Sequence, residues 1–157
     1  MSAYKQILVA VDLTEDSLLV CRKALELAGG SGANILLVHV LEFIYQMSTS
    51  YDPLFYPSFE ELGVDEEELK KVADKKMLSL IKELALEEDN FLSHEIVSGI
   101  PKTEILRLAE EKQADLIICG SHGRSGFELL LGSTANAILH HACCDVLAVR
   151  TRKKQNK

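Results

Sequence analysis

Five short apolar runs punctuate the chain, at residues 7–11 (ILVAV), 35–40 (ILLVHV), 91–97 (FLSHEIV), 116–119 (LIIC) and 146–149 (VLAV). Most are continuous rather than alternating. A strand covered on both faces reads that way, and such cover implies a parallel sheet. The third run alternates through Leu92, His94 and Ile96, as an edge strand does. Between the runs the spacing becomes helical. Leu18, Cys21, Leu25 and Ala28 share one helical face, and the pattern stops at Gly29-Gly30-Ser31-Gly32. A longer stripe of Leu69, Val72, Ala73, Met77, Leu80, Ile81 and Leu84 follows Asp65-Glu66-Glu67-Glu68, whose charge suits the positive end of a helix dipole. A third helix follows Gly99-Ile100-Pro101, with proline in its first turn and Ile105, Leu108 and Ala109 facing inward. A fourth begins near Ser133-Thr134 and carries Ala135, Ile138 and Ala142. Five strands alternating with four helices predict a single-domain α/β fold, an open parallel sheet with right-handed crossovers and helices on both faces.

In such a sheet ligands bind beyond the carboxyl ends of the strands, where the strand order reverses. The segments after the strands are Asp12-Leu13-Thr14, then Leu41-Glu42, then Ser98-Gly99-Ile100-Pro101, then the run from Gly120 to Thr134. The last packs Gly120, Gly123, Gly126 and Gly132 between a strand and a helix start. Glycines let backbone N–H groups approach an anion closely, and a helix N-terminus adds unpaired donors and partial positive charge. The arrangement describes a phosphate cradle, with Arg124 able to add a charge-assisted contact. The structural alternative is a surface turn with Ser133 or Thr134 as an ordinary N-cap. No Gly-Lys-Ser/Thr occurs, and no GxGxxG follows the first strand. Asp12 could bond a ribose hydroxyl; alternatively Asp12 and Glu15 have capping-box spacing for the first helix. A phosphoacceptor reading fails because the third strand ends in Ser98-Gly99, without an aspartate. His140, His141, Cys143 and Cys144 suggest zinc, but two adjacent pairs converge poorly on a tetrahedral ion. His122 has no GxSxG nucleophile beside it.

Composition removes other classes. The 157 residues carry a net charge of −7, and an acidic chain repels nucleic acid. Arg150, Arg152, Lys153, Lys154 and Lys157 crowd the C-terminal end, leaving 12 basic against 24 acidic residues elsewhere. Residues 1–150 are therefore expected to form the domain and 151–157 a flexible basic tail. No apolar run reaches the length of a membrane helix, and the N-terminal run meets Asp12 too soon for a signal peptide. Four cysteines without a CxxC suggest a reducing, cytoplasmic setting. Six of the nine aromatics lie within residues 43–59, which makes that long connection a candidate contact surface.

The chain resembles the universal stress protein family over essentially its whole length. The resemblance rests on Lys5-Gln6-Ile7-Leu8-Val9-Ala10-Val11-Asp12, on Leu37-Val38-His39-Val40, on Gly99-Ile100-Pro101, and on Gly120-Ser121-His122-Gly123 running through Gly132-Ser133-Thr134 to Cys144-Asp145-Val146-Leu147-Ala148-Val149-Arg150. The family implies the Rossmann-like strand order 3-2-1-4-5 and a stress-response regulator that binds ATP, alone or with Mg2+ or Mn2+, between strands one and four. By resemblance, Gly120, Gly123, Gly132, Ser133 and Thr134 hold the ribose and phosphates, with Arg124 beside them. Asp12 contacts the ribose and Val40 meets adenine through its backbone, while Ala10, Cys119 and Ser121 complete the set. The resemblance also implies a homodimer paired through the strand from Val146 to Val149, an unidentified regulatory partner, and at most slow ATP hydrolysis. One departure stands out. The family signature is written G-x2-G-x9-G-S/T, whereas eight residues separate Gly123 from Gly132 here, with Gly126 able to absorb the difference. The alternative is a nucleotide-independent interaction protein acting through its dimer surface and residues 43–59.

Overall fold

The computed structural model describes residues 4–29, 32–42, 60, 63–84, 92–122 and 131–151. The elements run β1 (Gln6–Ala10), α1 (Ser17–Ala28), β2 (Asn34–Leu41), α2 (Glu66–Glu83), β3 (Leu92–Ser98), α3 (Pro101–Glu111), β4 (Leu116–Gly120), α4 (Ser133–His141) and β5 (Asp145–Val149). They form one five-stranded sheet in the order β3-β2-β1-β4-β5. Every pairing is parallel. The alternating third run is indeed an edge strand, because among the described residues β3 pairs only with β2.

Strand side chains alternate between two cores. Ile7, Val9, Ile35, Leu37, Leu116 and Ile118 face α1 and α2, where Cys21, Ala24 and Met77 meet them. Leu8, Val38, Ile117 and Cys119 face the other way, onto Ile105, Leu108, Ala135 and Ile138 of α3 and α4. Period-two strands with apolar residues at every position need exactly this cover on both sides, hence three layers.

The helix ends follow local chemistry. Gly29 takes φ 47° and returns its N–H to Leu25 O at 3.0 Å, closing α1 in the left-handed conformation. Asp65 caps α2 by accepting from the N–H groups of Glu67 and Glu68. Pro101 opens α3. Two expectations fail. The first half of the α2 stripe is not covered by the described residues, since Leu69 and Val72 are exposed. The Asp12–Glu15 capping box does not form, because α1 begins only at Ser17, with Asp16 at the N-cap. Residues 43–59 and 152–157 lie outside the described residues. Thr151 is described, and it is buried.

Candidate functional site

β1 and β4 are neighbours at the point where the chain changes direction across the sheet. Ala10 pairs with Val38 on one side and Cys119 on the other, so three strand ends open onto one crevice. That crevice encloses about 520 Å3. Ala10, Val11 and Asp12 line it from the first strand and its turn, and Asp16, Ser17 and Val20 from α1. Val38, His39, Val40, Leu41 and Glu42 line it from β2, and Pro101 and Ile105 from α3. Cys119, Gly120 and His122 close the β4 side, and Gly132, Ser133, Thr134 and Ala135 the α4 side, with Thr151 between. The volume falls in the range of small-molecule sites. Asp16 and Thr151 also line a second, more open cavity of about 1000 Å3 between α1 and α2.

The α4 side carries the donors. The first intrahelical bond of α4 runs from Asn136 N–H to Gly132 O at 2.9 Å. Gly132 is the N-cap and supplies no side chain to cap the helix. Ser133 and Thr134 are the first two helical residues, so neither is the N-cap that the structural alternative required. Among the described residues no acceptor meets the N–H groups of Ser133, Thr134 and Ala135. Three donors at the positive end of a helix therefore border the cavity.

The loop amides are less generous than the glycine pattern suggested. Ser121 N–H is bonded to Val149 O at 2.7 Å, and Gly132 N–H to Ser121 O at 2.9 Å. These two donors are occupied, because they tie the start of α4 to the ends of β4 and β5. Ser121 is buried and does not line the cavity. Gly132 lines it, but with φ −55° and ψ 150°, an extended conformation open to any residue. Gly120 is crowded from the β5 side. A Cβ there would stand 3.1 Å from Thr151 Cγ2. Gly123, Gly126 and Arg124 lie outside the described residues.

The opposite wall is the β1–α1 turn. Leu13 takes φ 59°, a left-handed conformation that costs a branched residue about 1–2 kcal/mol. Asp12 holds the turn. Its Oδ1 accepts from Thr14 N–H at 3.0 Å, Thr14 Oγ1–H at 2.6 Å and Ser17 Oγ–H at 3.0 Å. His39, buried within β2, donates Nδ1–H to Val11 O at 2.8 Å. The carbonyl can only accept, so that bond fixes the tautomer. Val11 N–H meets Val38 O at 2.9 Å, and the turn is thus pinned to β2 through both backbone polar groups of one residue. His39, Ser17 and Thr151 escaped the sequence reading. Only His39 left a signal there, as the one ionisable residue in the apolar run of 35–40.

Burial pushes the Cys119 thiol up to about 11 and that of Cys21 up to about 12. Both stay protonated at neutral pH. Ser121 Oγ and His122 Nδ1 share a hydrogen bond of 2.7 Å. His140 and His141 are exposed, with ring centroids 6.5 Å apart and planes tilted by 59°. Among the described residues no group of three or more His, Cys, Asp or Glu is placed to hold a metal ion. Nor, among them, is any helix long and apolar enough to cross a membrane.

The fold is a doubly wound α/β domain whose switch-point crevice is bordered by the N-terminus of α4 and by Asp12 of the β1–α1 turn. Comparison gives the particular lineage. Residues 3–150 match the model of the universal stress protein family, and the chain belongs to that family, with its stress-response role. It is 42% identical over 156 residues to universal stress protein A homolog 2 of Coxiella burnetii, covering 97% of this chain and 99% of that one. Universal stress protein UspA from Lactobacillus plantarum superposes with a TM-score of 0.74 at 28% identity, covering 94% of this chain and 98% of that chain. A universal stress protein solved in complex with cAMP shares the fold, with a TM-score of 0.59, 22% identity, and 96% and 100% of the two chains covered.

Proposed function

We propose that the protein is a cytoplasmic stress-response regulator that holds ATP in the crevice between β1 and β4. The observation that carries this reading is the set of three N–H groups at Ser133, Thr134 and Ala135 that meet no acceptor among the described residues and border a cavity of about 520 Å3. An anion there gains both hydrogen bonds and the helix dipole. In this reading the polyphosphate sits against α4 and the ribose lies toward Asp12, while Gly123 and Arg124, which the family resemblance adds to the phosphate site, lie outside the described residues. The adenine lies along Val40, between the apolar walls of Ala10, Cys119 and Ile105. The carboxylates Asp12, Asp16 and Glu42 line the crevice without forming a metal-binding cluster among the described residues, and their charge favours a ligand accompanied by Mg2+ or Mn2+. The residues present fit such an ion only alongside phosphate oxygens, which would supply the rest of its coordination. The protein acts as a binder and sensor. Asp12 Oδ1 is engaged by three local donors, so it is not offered as a general base. Four free thiols, two of them buried, support the reducing setting. The half-buried apolar edge strand β5 supports a homodimer through Val146 to Val149, which a regulatory partner would then read.

Isothermal calorimetry with ATP, and chromatography of the supernatant from heat-denatured protein, test the reading. Binding below millimolar concentration or released adenine nucleotide is expected. Absence of both overturns it, and ATP turnover above about 1 s−1 overturns the non-enzymatic part.

A further inference from the structure

Thr151 follows β5, one residue beyond the segment that matches the family model. The residue is 5% exposed, and it lines the crevice beside Gly120. Its methyl Cγ2 packs against Gly120, where a Cβ would come within 3.1 Å. Its hydroxyl Oγ1 is buried and meets no hydrogen-bond partner among the described residues. A buried hydroxyl left unpaired is destabilising, and native proteins rarely keep one without a reason. Two nearby carbonyls already accept from backbone donors. Val149 O is taken by Ser121 N–H, and Ser121 O by Gly132 N–H. Those same two bonds bring the start of α4, with its unaccepted N–H groups, to the wall where Thr151 stands.

We propose that Thr151 is a ligand-contacting residue of the crevice, its hydroxyl donating to a phosphoryl oxygen held by the first turn of α4. The proposal rests on the nucleotide reading given above and adds to it a side-chain donor. Binding then satisfies a group that the empty protein leaves unpaired, so the contact gains more than an exchange with water would give. The methyl has the separate task of filling the space above Gly120. The two halves of one threonine can therefore be tested independently.

The experiment compares wild type, Thr151→Val and Thr151→Ser by calorimetry with ATP, ADP and adenosine, and by thermal melts without ligand. Thr151→Val keeps the shape and removes the hydroxyl. It should bind ATP and ADP about tenfold more weakly, as for one lost hydrogen bond to a charged oxygen, and adenosine unchanged. Thr151→Ser should retain ATP affinity to within about threefold, since the hydroxyl survives. Without ligand, Thr151→Val should melt at or above the wild-type temperature, because valine replaces an unpaired polar atom. A lower melting temperature means the hydroxyl already has a partner, and overturns the proposal. Unchanged ATP affinity in Thr151→Val overturns it while sparing the nucleotide reading. Equal loss with adenosine puts the contact on the ribose and overturns the phosphoryl assignment. A wild-type protein that binds none of the three ligands overturns both.

Discussion

Replacing Ser133 by proline isolates the backbone donor on which the nucleotide reading turns. Ser133 is exposed and is the first residue of α4. Proline is welcome at that position, because its missing N–H has no intrahelical acceptor there and its φ suits the helix. The preceding Gly132 has φ −55° and ψ 150°, the extended conformation that a residue before proline adopts readily. The substitution therefore deletes one N–H from the rim of the crevice without strain in α4. A hydrogen bond to a charged acceptor contributes about 1.5–3 kcal/mol. Its loss should weaken ATP binding by about 10- to 150-fold. Ser133→Ala removes the side chain and keeps the N–H, so the ratio of the two variants reports the backbone donor alone. Calorimetry measures both. Thermal melts should place Ser133→Pro at or slightly above wild type, since proline also restricts the unfolded chain. If Ser133→Pro binds ATP as tightly as Ser133→Ala, the N-terminus of α4 does not hold the phosphates. If it melts well below wild type, Ser133 is not in the first turn of the helix.

Other outcomes follow from the rest of the molecule. Glu66 joins α2 to β3 by accepting from Ser98 Oγ–H at 2.7 Å, and it pairs with Lys70 at 2.8 Å. The Lys70 bond, then the Ser98 bond, hold its carboxyl below the ordinary range. A lowered pKa contributes stability that is present above the usual carboxylate range and is lost as pH falls through the folded value. The melting difference between wild type and Glu66→Gln should thus be small but measurable at pH 7, weaker in high salt, and absent in acid below that range; a difference that grows with acid contradicts the pairing. Alkylation of the native protein at pH 8, followed by mass spectrometry, should mark exposed Cys143 first. Cys21 and Cys119 should react only on unfolding, because both are buried protonated thiols. Labelling of Cys119 at the rate of Cys143 would mean the crevice wall is open. Gly99 has φ 149°, and a Cβ there would stand 2.9 Å from Glu104 Cγ. Gly99→Ala should cost about 1–3 kcal/mol in chemical denaturation. Adding Glu104→Ala should recover only the part due to the clash, leaving the backbone penalty.

The architecture was legible because burial on both faces writes itself into the chain. Runs such as 7–11 and 116–119 have no polar positions, and only a sheet covered by helices on both sides accepts that. The edge position of β3 was equally visible in its alternation, and the ends of α1 and α2 in Gly29 and Asp65, since those signals are local. The crevice was legible as a place, because strand ends of an open sheet mark it, and eight of the eleven candidate residues do line it. What each residue does there was not legible. The glycines suggested a ring of free amides, yet the Gly132 and Ser121 amides are bonded within the protein and Gly120 packs closely against Thr151, 31 residues away. Thr151 itself read as the start of a tail. Whether a donor is free depends on which carbonyl stands opposite it, and that is settled by strand register and by how α4 docks. Composition and spacing decide which elements form. The pairing of β4 with β1 and β5 decides which polar atoms are left for a ligand.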